Sequence, residues 1–135
     1  MRDITCTRGE DGTVTCSIPQ KHKHHSPTGF EIGYGGSGPA DLALNILALA
    51  IGPAPDALPE PGEDGTEGEW EAYFYNQEAR VVCRDGTVVH GDVWDLHQPL
   101  KWNLIATLPR EGGTIAGVVV EAWIVAQQSQ LAESR

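Results

Sequence analysis

Apolar and polar side chains alternate along the first twenty residues. Ile4-Thr5-Cys6-Thr7-Arg8 and Val14-Thr15-Cys16-Ser17-Ile18 each repeat with a period of two, and Glu10-Asp11-Gly12 lies between them. The pattern predicts a hairpin over 2–19 whose three-residue loop ends on a left-handed Gly12. It pairs Ile4 with Ile18, Cys6 with Cys16 and Arg8 with Val14 on one face. Residues 20–28 have no period; Lys21, Lys23 and three histidines surround Pro27, and the stretch reads as a loop. Alternation returns over 30–34, a predicted strand that runs into Gly35-Gly36-Ser37-Gly38-Pro39. A cap at Ser37 or Gly38, Pro39 at the first helical position and Asp41 in the first turn predict a helix from Ala40 to about Ile51. Asn45 is the one polar residue in its interior, so the helix should be buried nearly all round and Asn45 must find a partner there.

Residues 52–69 hold four Pro, four Gly and six acids. Such a span predicts an irregular segment, a tolerated insertion rather than a lid. The chain from Trp70 to Cys83 reads as strand, with Tyr73, Phe74 and Tyr75 adjacent and Phe74 facing opposite to its neighbours. Val81-Val82-Cys83-Arg84 meets Thr87-Val88-Val89 through Asp85-Gly86, a strong hairpin signal. Pro99 interrupts the next stretch, and residues 101–108 suit a strand or a helix. Residues 114–130 predict a terminal helix with Val118, Ala122 and Val125 at helical spacing, although its β-branched run opposes this. The elements together predict a single α+β domain with an antiparallel β-sheet, one buried central helix and one C-terminal helix. Its parts are a hairpin (2–19), a strand, glycine turn and helix (29–51), the acidic insertion (52–69), and strands followed by the C-terminal helix (70–131).

Composition fits one core: 135 residues, 40% of them hydrophobic. No apolar run approaches a membrane span, and Met1-Arg2-Asp3 leads directly into polar alternation, so a cytoplasmic protein is expected. Three cysteines without a secretion signal are expected to be thiols. Nineteen acids against nine bases give a net charge of -10, which disfavours a duplex nucleic acid as partner. The acidity is uneven. Asp56, Glu60, Glu63, Asp64, Glu67, Glu69 and Glu71 occupy a stretch without a base, and the remaining twelve acids and nine bases leave the rest of the chain near -3. A compact anion can therefore still be held by local arginines and amides.

The glycine turn is the strongest chemical signal. Amides of Gly35, Gly36, Ser37 and Gly38 at a helix start are suited to an anion, whereas the alternative is a tight corner with Asp41 as cap. No Gly-Lys-Ser/Thr follows, so it is not a Walker loop. His22, His24 and His25 lack the further ligands of a zinc site, and no metal is expected. His25, beside Ser26-Pro27-Thr28, can donate to a ligand. Phe74 or Tyr75 can stack a flat base, and Arg80, Arg84 and Arg110 can clamp phosphates. No nucleophile and base stand out as a pair, so neither an enzyme nor a cofactor is expected.

Two stretches carry a resemblance. The run from His25 through Leu47, His-Ser-Pro-Thr-Gly-Phe-Glu-Ile-Gly-Tyr-Gly-Gly-Ser-Gly-Pro-Ala-Asp-Leu-Ala-Leu-Asn-Ile-Leu, resembles the hallmark of a family of uncharacterised bacterial and phage domains. Lys101-Trp102-Asn103-Leu104-Ile105-Ala106-Thr107-Leu108-Pro109 is similar to that family's second segment. The chain departs from the family in the acidic 52–69 segment and at Ile32, where an aromatic residue is expected. In size, N-terminal antiparallel sheet and two helices it also resembles the Thoeris anti-defence 1 proteins of phages, which sequester cyclic ADP-ribose-type signals, and in some cases cyclic oligonucleotides, without cleaving them. That resemblance implies a homo-oligomer, dimer or hexamer, that binds a small nucleotide second messenger in the host cytoplasm. The competing expectation is an acidic protein that docks on a basic host or defence factor and has no small-molecule ligand.

Overall fold

The hairpin forms in the predicted register. In the computed structural model, which describes residues 1–134, β1 (Ile4–Arg8) and β2 (Val14–Cys16) run antiparallel, with Cys6 opposite Cys16 and Arg8 opposite Val14. Gly12 closes the loop at φ 85°, where glycine carries no steric cost, and Asp11 accepts hydrogen bonds from the amide and hydroxyl of Thr13. The second hairpin, β3 (Arg80–Val82) and β4 (Val88–His90), repeats this turn: Gly86 has φ 86° and Asp85 accepts from both donors of Thr87. The same tripeptide, Asp-Gly-Thr, makes the same turn in both hairpins, while its third copy, at 64–66, leads into a helix. In both cases the loop has three residues, closed by Gly9 N to Thr13 O (2.8 Å) and by Cys83 N to Thr87 O (2.7 Å).

The expected Ile4–Ile18 pair does not form. The ladder between β1 and β2 ends at Cys16, and Ile4 pairs with Ile115 on the other edge of β1. That edge is taken by β5 (Gly112–Ile115), giving the order β2-β1-β5. Gly112 sits at φ 136°, and a Cβ there would lie 2.4 Å from the Cys6 carbonyl oxygen, so the close approach of β5 depends on glycine. Because Thr114 and Ile115 serve this strand, the terminal helix α4 begins later than expected and spans Gly117–Ser134. Its inward residues are Val120 and Ile124. Val118 and Val125, from the expected apolar face, are 70% and 64% exposed.

The helix α1 (Ser37–Ile51) is the centre of the molecule, and Leu42, Ala43, Leu44, Ile46 and Leu47 are inaccessible to solvent. It starts three residues before the predicted position, which moves Asp41 into the second turn. α3 (Gly91–Leu100) packs along α1 and ends with Pro99 in its last turn. The chain then widens into a π-helical turn, Lys101–Ile105, closed by Ala106 N to Lys101 O at 2.8 Å. The ambiguous 101–108 stretch is therefore helical over 101–105, with Lys101 and Ile105 turned inward, and a turn over 106–108.

Two strand expectations fail. Residues 30–34 form no strand, because Gly33 turns the backbone to φ 82° and its amide bonds to Ile105 O (3.1 Å) instead of to a sheet. The aromatic run lies on a helix, α2 (Glu67–Glu78), whose start is capped by the Thr66 hydroxyl accepting from Glu69 N at 3.1 Å. Thr66 and Glu69 have capping-box spacing, and nothing β-branched occurs in α2 to favour a strand. Phe74 and Tyr75 are therefore exposed on a helix rather than opposed across a strand, at 56% and 72%. The preceding segment is irregular, as expected, but is tied down: Asn76 Nδ2 donates to Asp56 O (2.7 Å) and the Arg80 guanidinium to Pro55 O. Among the described residues no helix is long and apolar enough to cross a membrane.

Asn45 finds four partners inside the fold. Its Oδ1 accepts from the amides of Lys21 (2.8 Å) and His22 (2.9 Å), and its Nδ2 donates to the carbonyls of His22 and Asp41. Replacing it with the near-isosteric Leu would strand these backbone groups. Asn45→Leu should lose about 2 to 4 kcal/mol in a urea titration, although leucine is the better helix former.

Candidate functional site

Backbone amides of the histidine loop converge on an anion supplied by the protein itself. Asp41 projects from α1 toward the loop 20–26 and is fully inaccessible to solvent. Its Oδ1 accepts from His25 N (2.8 Å); its Oδ2 accepts from Ser26 N (2.9 Å), His24 N (3.1 Å) and Gln20 Nε2 (3.2 Å). Three successive amides converge on one carboxylate, which is how a buried charge is kept without a cation. Asp41 is thus no helix cap: the helix begins at Ser37, and the first turn has no acid.

The clasp presents a histidine pair. His25 Nε2 lies 3.0 Å from His97 Nε2, and His97 Nδ1 lies 2.5 Å from the Trp94 carbonyl oxygen. A carbonyl only accepts, so the His97 proton is on Nδ1, its Nε2 accepts, and His25 donates from Nε2. His25 and His97 stack at 5.2 Å between ring centres, with Trp94 against both. Burial lowers the pKa of His97 to about 4 and also lowers that of His25; the nearby His24 and, for His25, Arg84 and Lys101 act in the same direction, against Asp41. His24 Nδ1 accepts from the amide of Arg84 (3.0 Å). Arg84 therefore reaches this region through its backbone, with its side chain exposed at the hairpin tip.

The glycine turn itself is a filled corner. None of Gly35, Gly36 and Gly38 has a positive φ; Gly36, the residue before α1, is extended at φ -90°. What excludes a side chain is proximity. A Cβ on Gly35 would lie 2.0 Å from the Trp102 ring, one on Gly36 2.2 Å from the Tyr34 ring, and one on Gly38 2.5 Å from Glu31 Cβ. Buried Lys101 donates to Gly35 O (2.9 Å) while sitting 4.4 Å from the centre of the Trp102 ring. The Lys-Trp segment and the glycine motif thus form one packed unit.

Beside this corner opens a hollow of about 290 Å³ lined by Arg8, Glu31, Ile32, Gly33, Tyr34 and Arg110. Arg8 is held in it by Glu31 through two bonds (2.8 and 3.1 Å) and by the carbonyls of Arg110 and Gly12. The Arg8 guanidinium holds the Glu31 carboxyl below the usual carboxylate range, so Glu31 stays ionised. Of the expected ligand residues, Arg110 alone lines this hollow, and Gly35 to Gly38 lie next to it in the chain. Phe74, Tyr75 and Arg80 belong to the α2 region, and His25 and Arg84 to the histidine pair, so they do not converge. Arg8 and Tyr34 went unrecognised in the sequence: Arg8 read as one end of a hairpin, and no pattern linked it to Glu31, 23 positions away. Among the described residues no group of three or more His, Cys, Asp or Glu is placed to hold a metal.

Residues 2–60 match a family of unknown function, DUF6166. No curated protein and no solved structure matches the chain. The matched stretch contains the first hairpin, the histidine loop and α1 with Asp41 and Asn45, but neither His97 nor the Lys101-Trp102 pair.

The histidine pair makes stability depend on pH. A histidine kept neutral by burial binds its proton more readily when unfolded, so His97 favours the fold above pH 6.5 and loses that contribution as pH falls toward 4. The loss should approach 3 kcal/mol, about the size of a shift from the ordinary value to about 4. Urea titrations from pH 7.5 to 4 should show a steeper decline for the parent than for His97→Asn.

Proposed function

We propose that the protein is a non-catalytic binder of a small nucleotide-type anion, held in the hollow between Arg8, Tyr34 and Arg110. The observation that carries this reading is the local charge. In a chain of net charge -10, the hollow contains two arginines and one acid. Glu31 neutralises Arg8, while Arg110 makes no side-chain hydrogen bond or ion pair among the described residues. Tyr34, 52% exposed, offers a ring face beside it. Arg110 then meets phosphate, Tyr34 stacks the base, and Arg8 braced by Glu31 keeps the wall rigid. Glu31 is poorly suited to proton transfer while Arg8 keeps it ionised, which favours retention over turnover. The hollow is at the small end of ligand sites and accommodates the phosphate and part of a nucleotide, so the remainder would lie at the surface. Together with the resemblance to phage proteins that sequester cyclic ADP-ribose-type signals, this supports an anti-defence sponge for a cyclic nucleotide.

Calorimetry with cyclic ADP-ribose and with cyclic dinucleotides tests the reading. Saturable binding should weaken about ten- to a hundredfold in Arg110→Ala, and the ligand released by heating should be chemically intact. Binding that is absent, indifferent to Arg110→Ala, or followed by an altered product would defeat the proposal.

A second reading rests on α2. Phe74 and Tyr75 are exposed, Phe74 stacks on Trp70 at 5.6 Å between ring centres, and acids flank them at Glu67, Glu69, Glu71 and Glu78. An aromatic centre with an acidic rim suits a basic protein surface. On this reading a cationic amphipathic Lys/Leu peptide should change the tryptophan fluorescence in a salt-sensitive manner, and a Phe74→Ser, Tyr75→Ser variant should show little response. An equal response in that variant would count against docking on α2.

A further inference from the structure

Cys6 and Cys16 occupy a specific kind of position in the sheet. The single backbone bonds Ser17 N to Thr5 O (2.9 Å) and Gly9 N to Thr13 O (2.8 Å), just beyond either end of the ladder, mark 5/17 and 9/13 as hydrogen-bonded positions. By alternation 7/15 is another, and Cys6/Cys16 falls on the non-hydrogen-bonded register between them. Side chains approach most closely at such pairs, within the Cβ separation that a disulfide spans. The Cys16 thiol indeed donates to the Cys6 sulfur, with the sulfurs 2.7 Å apart. Cys6 is buried beneath the sheet, whereas Cys16 is partly open to solvent. The third cysteine, Cys83, is buried at the turn of the other hairpin, where its amide bonds to Thr87 O.

We infer that Cys6 and Cys16 form a reversible dithiol–disulfide site, oxidised by hydrogen peroxide and restored by thiol reductants. In the first step a deprotonated sulfur attacks peroxide: an S–O bond forms, the O–O bond breaks, and the departing hydroxide takes up the thiol's proton as water. The second sulfur then attacks the resulting sulfenic sulfur. An S–S bond forms, the S–O bond breaks, and the second proton leaves with the hydroxyl as another water. Two thiols and one peroxide thus give one disulfide and two waters. The two sulfurs favour this ending over further oxidation, because the resolving thiol already touches its target. The Cys16 hydrogen bond lowers the Cys6 pKa against the opposing effect of burial, while Cys16 itself is raised. Burial raises the Cys83 thiol, which makes it the internal control. The disulfide would close the β1–β2 turn covalently without asking either strand to shift register. The inference stands apart from nucleotide binding.

The test treats the full-length protein with a small excess of hydrogen peroxide, denatures it in N-ethylmaleimide and reads the intact mass and the peptide map. A loss of two hydrogens, a Cys6–Cys16 crosslink, one maleimide on Cys83 and full reversal by dithiothreitol are expected. Cys16→Ser should show no intramolecular disulfide under the same treatment. Three maleimides on the treated parent, oxygen adducts in place of the crosslink, or a disulfide containing Cys83 would overturn the inference. A melting midpoint lower in the oxidised form would do so as well, since it would mean that the bond distorts the sheet.

Discussion

Everything around α1 depends on one buried carboxylate. Asp41 is held by no cation among the described residues, and its charge is tolerated because the amides of three successive residues and one glutamine amide face it. This arrangement works in both directions. The loop 20–26 has no regular structure to satisfy its own amides, so Asp41 and Asn45 supply their acceptors. In return the loop covers a stretch of α1 that would otherwise expose a helix without a polar face. Removing either side leaves backbone or charge buried without a partner, a larger cost than the loss of an ordinary surface contact.

From that clasp the remaining architecture follows. The loop carries His24 and His25 onto α3, where His97 and Trp94 receive them, and the amide of Arg84 at the second hairpin tip bonds to His24. Asp85 ties the same hairpin to the loop through the amide of Lys23 (3.0 Å). The second sheet is thus connected to α1 through the histidine loop as well as through the core. At the start of α1, the glycine corner is filled by Trp102, Tyr34 and Glu31, and the neighbouring hollow takes its Arg8 from β1. The two regions differ in what their polar groups are free to do. At the clasp they are spent on one another and hold the fold closed, while the hollow leaves an arginine and an aromatic ring exposed.

The glycine turn shows how one local signal can answer to two different constraints. Glycines clustered at a helix start suit amides that cradle an anion, and equally a corner where neighbouring side chains pack against the backbone. A one-dimensional pattern cannot distinguish these, because the rings come from position 102 and from Tyr34 folding back. The anion-holding amides lie instead at 24–26, in a stretch with no glycine, and their anion belongs to the protein. Likewise, Thr66 and Glu69 have the spacing of a helix start, but the aromatic run after them suggests a strand; the cap and the absence of β-branched residues prevail.

Local chemistry determined what nearest neighbours along the chain decide. The hairpin turns at Asp11-Gly12 and Asp85-Gly86, the Cys6–Cys16 register, the nearly complete burial of α1 with its need for a partner at Asn45, and the α+β class were legible because each rests on residues close together in the chain. The tertiary structure alone decided relations spanning the chain. It placed β5 against β1, which took Thr114 and Ile115 from the predicted helix and turned Val120 and Ile124 inward in place of Val118 and Val125. It brought Arg8 to Glu31 and Arg110, and His25 to His97, across separations that no periodicity records. A strand or helix is chosen largely by local torsion and patterning, but a site is a meeting of distant side chains, and that meeting is set by how the whole core packs.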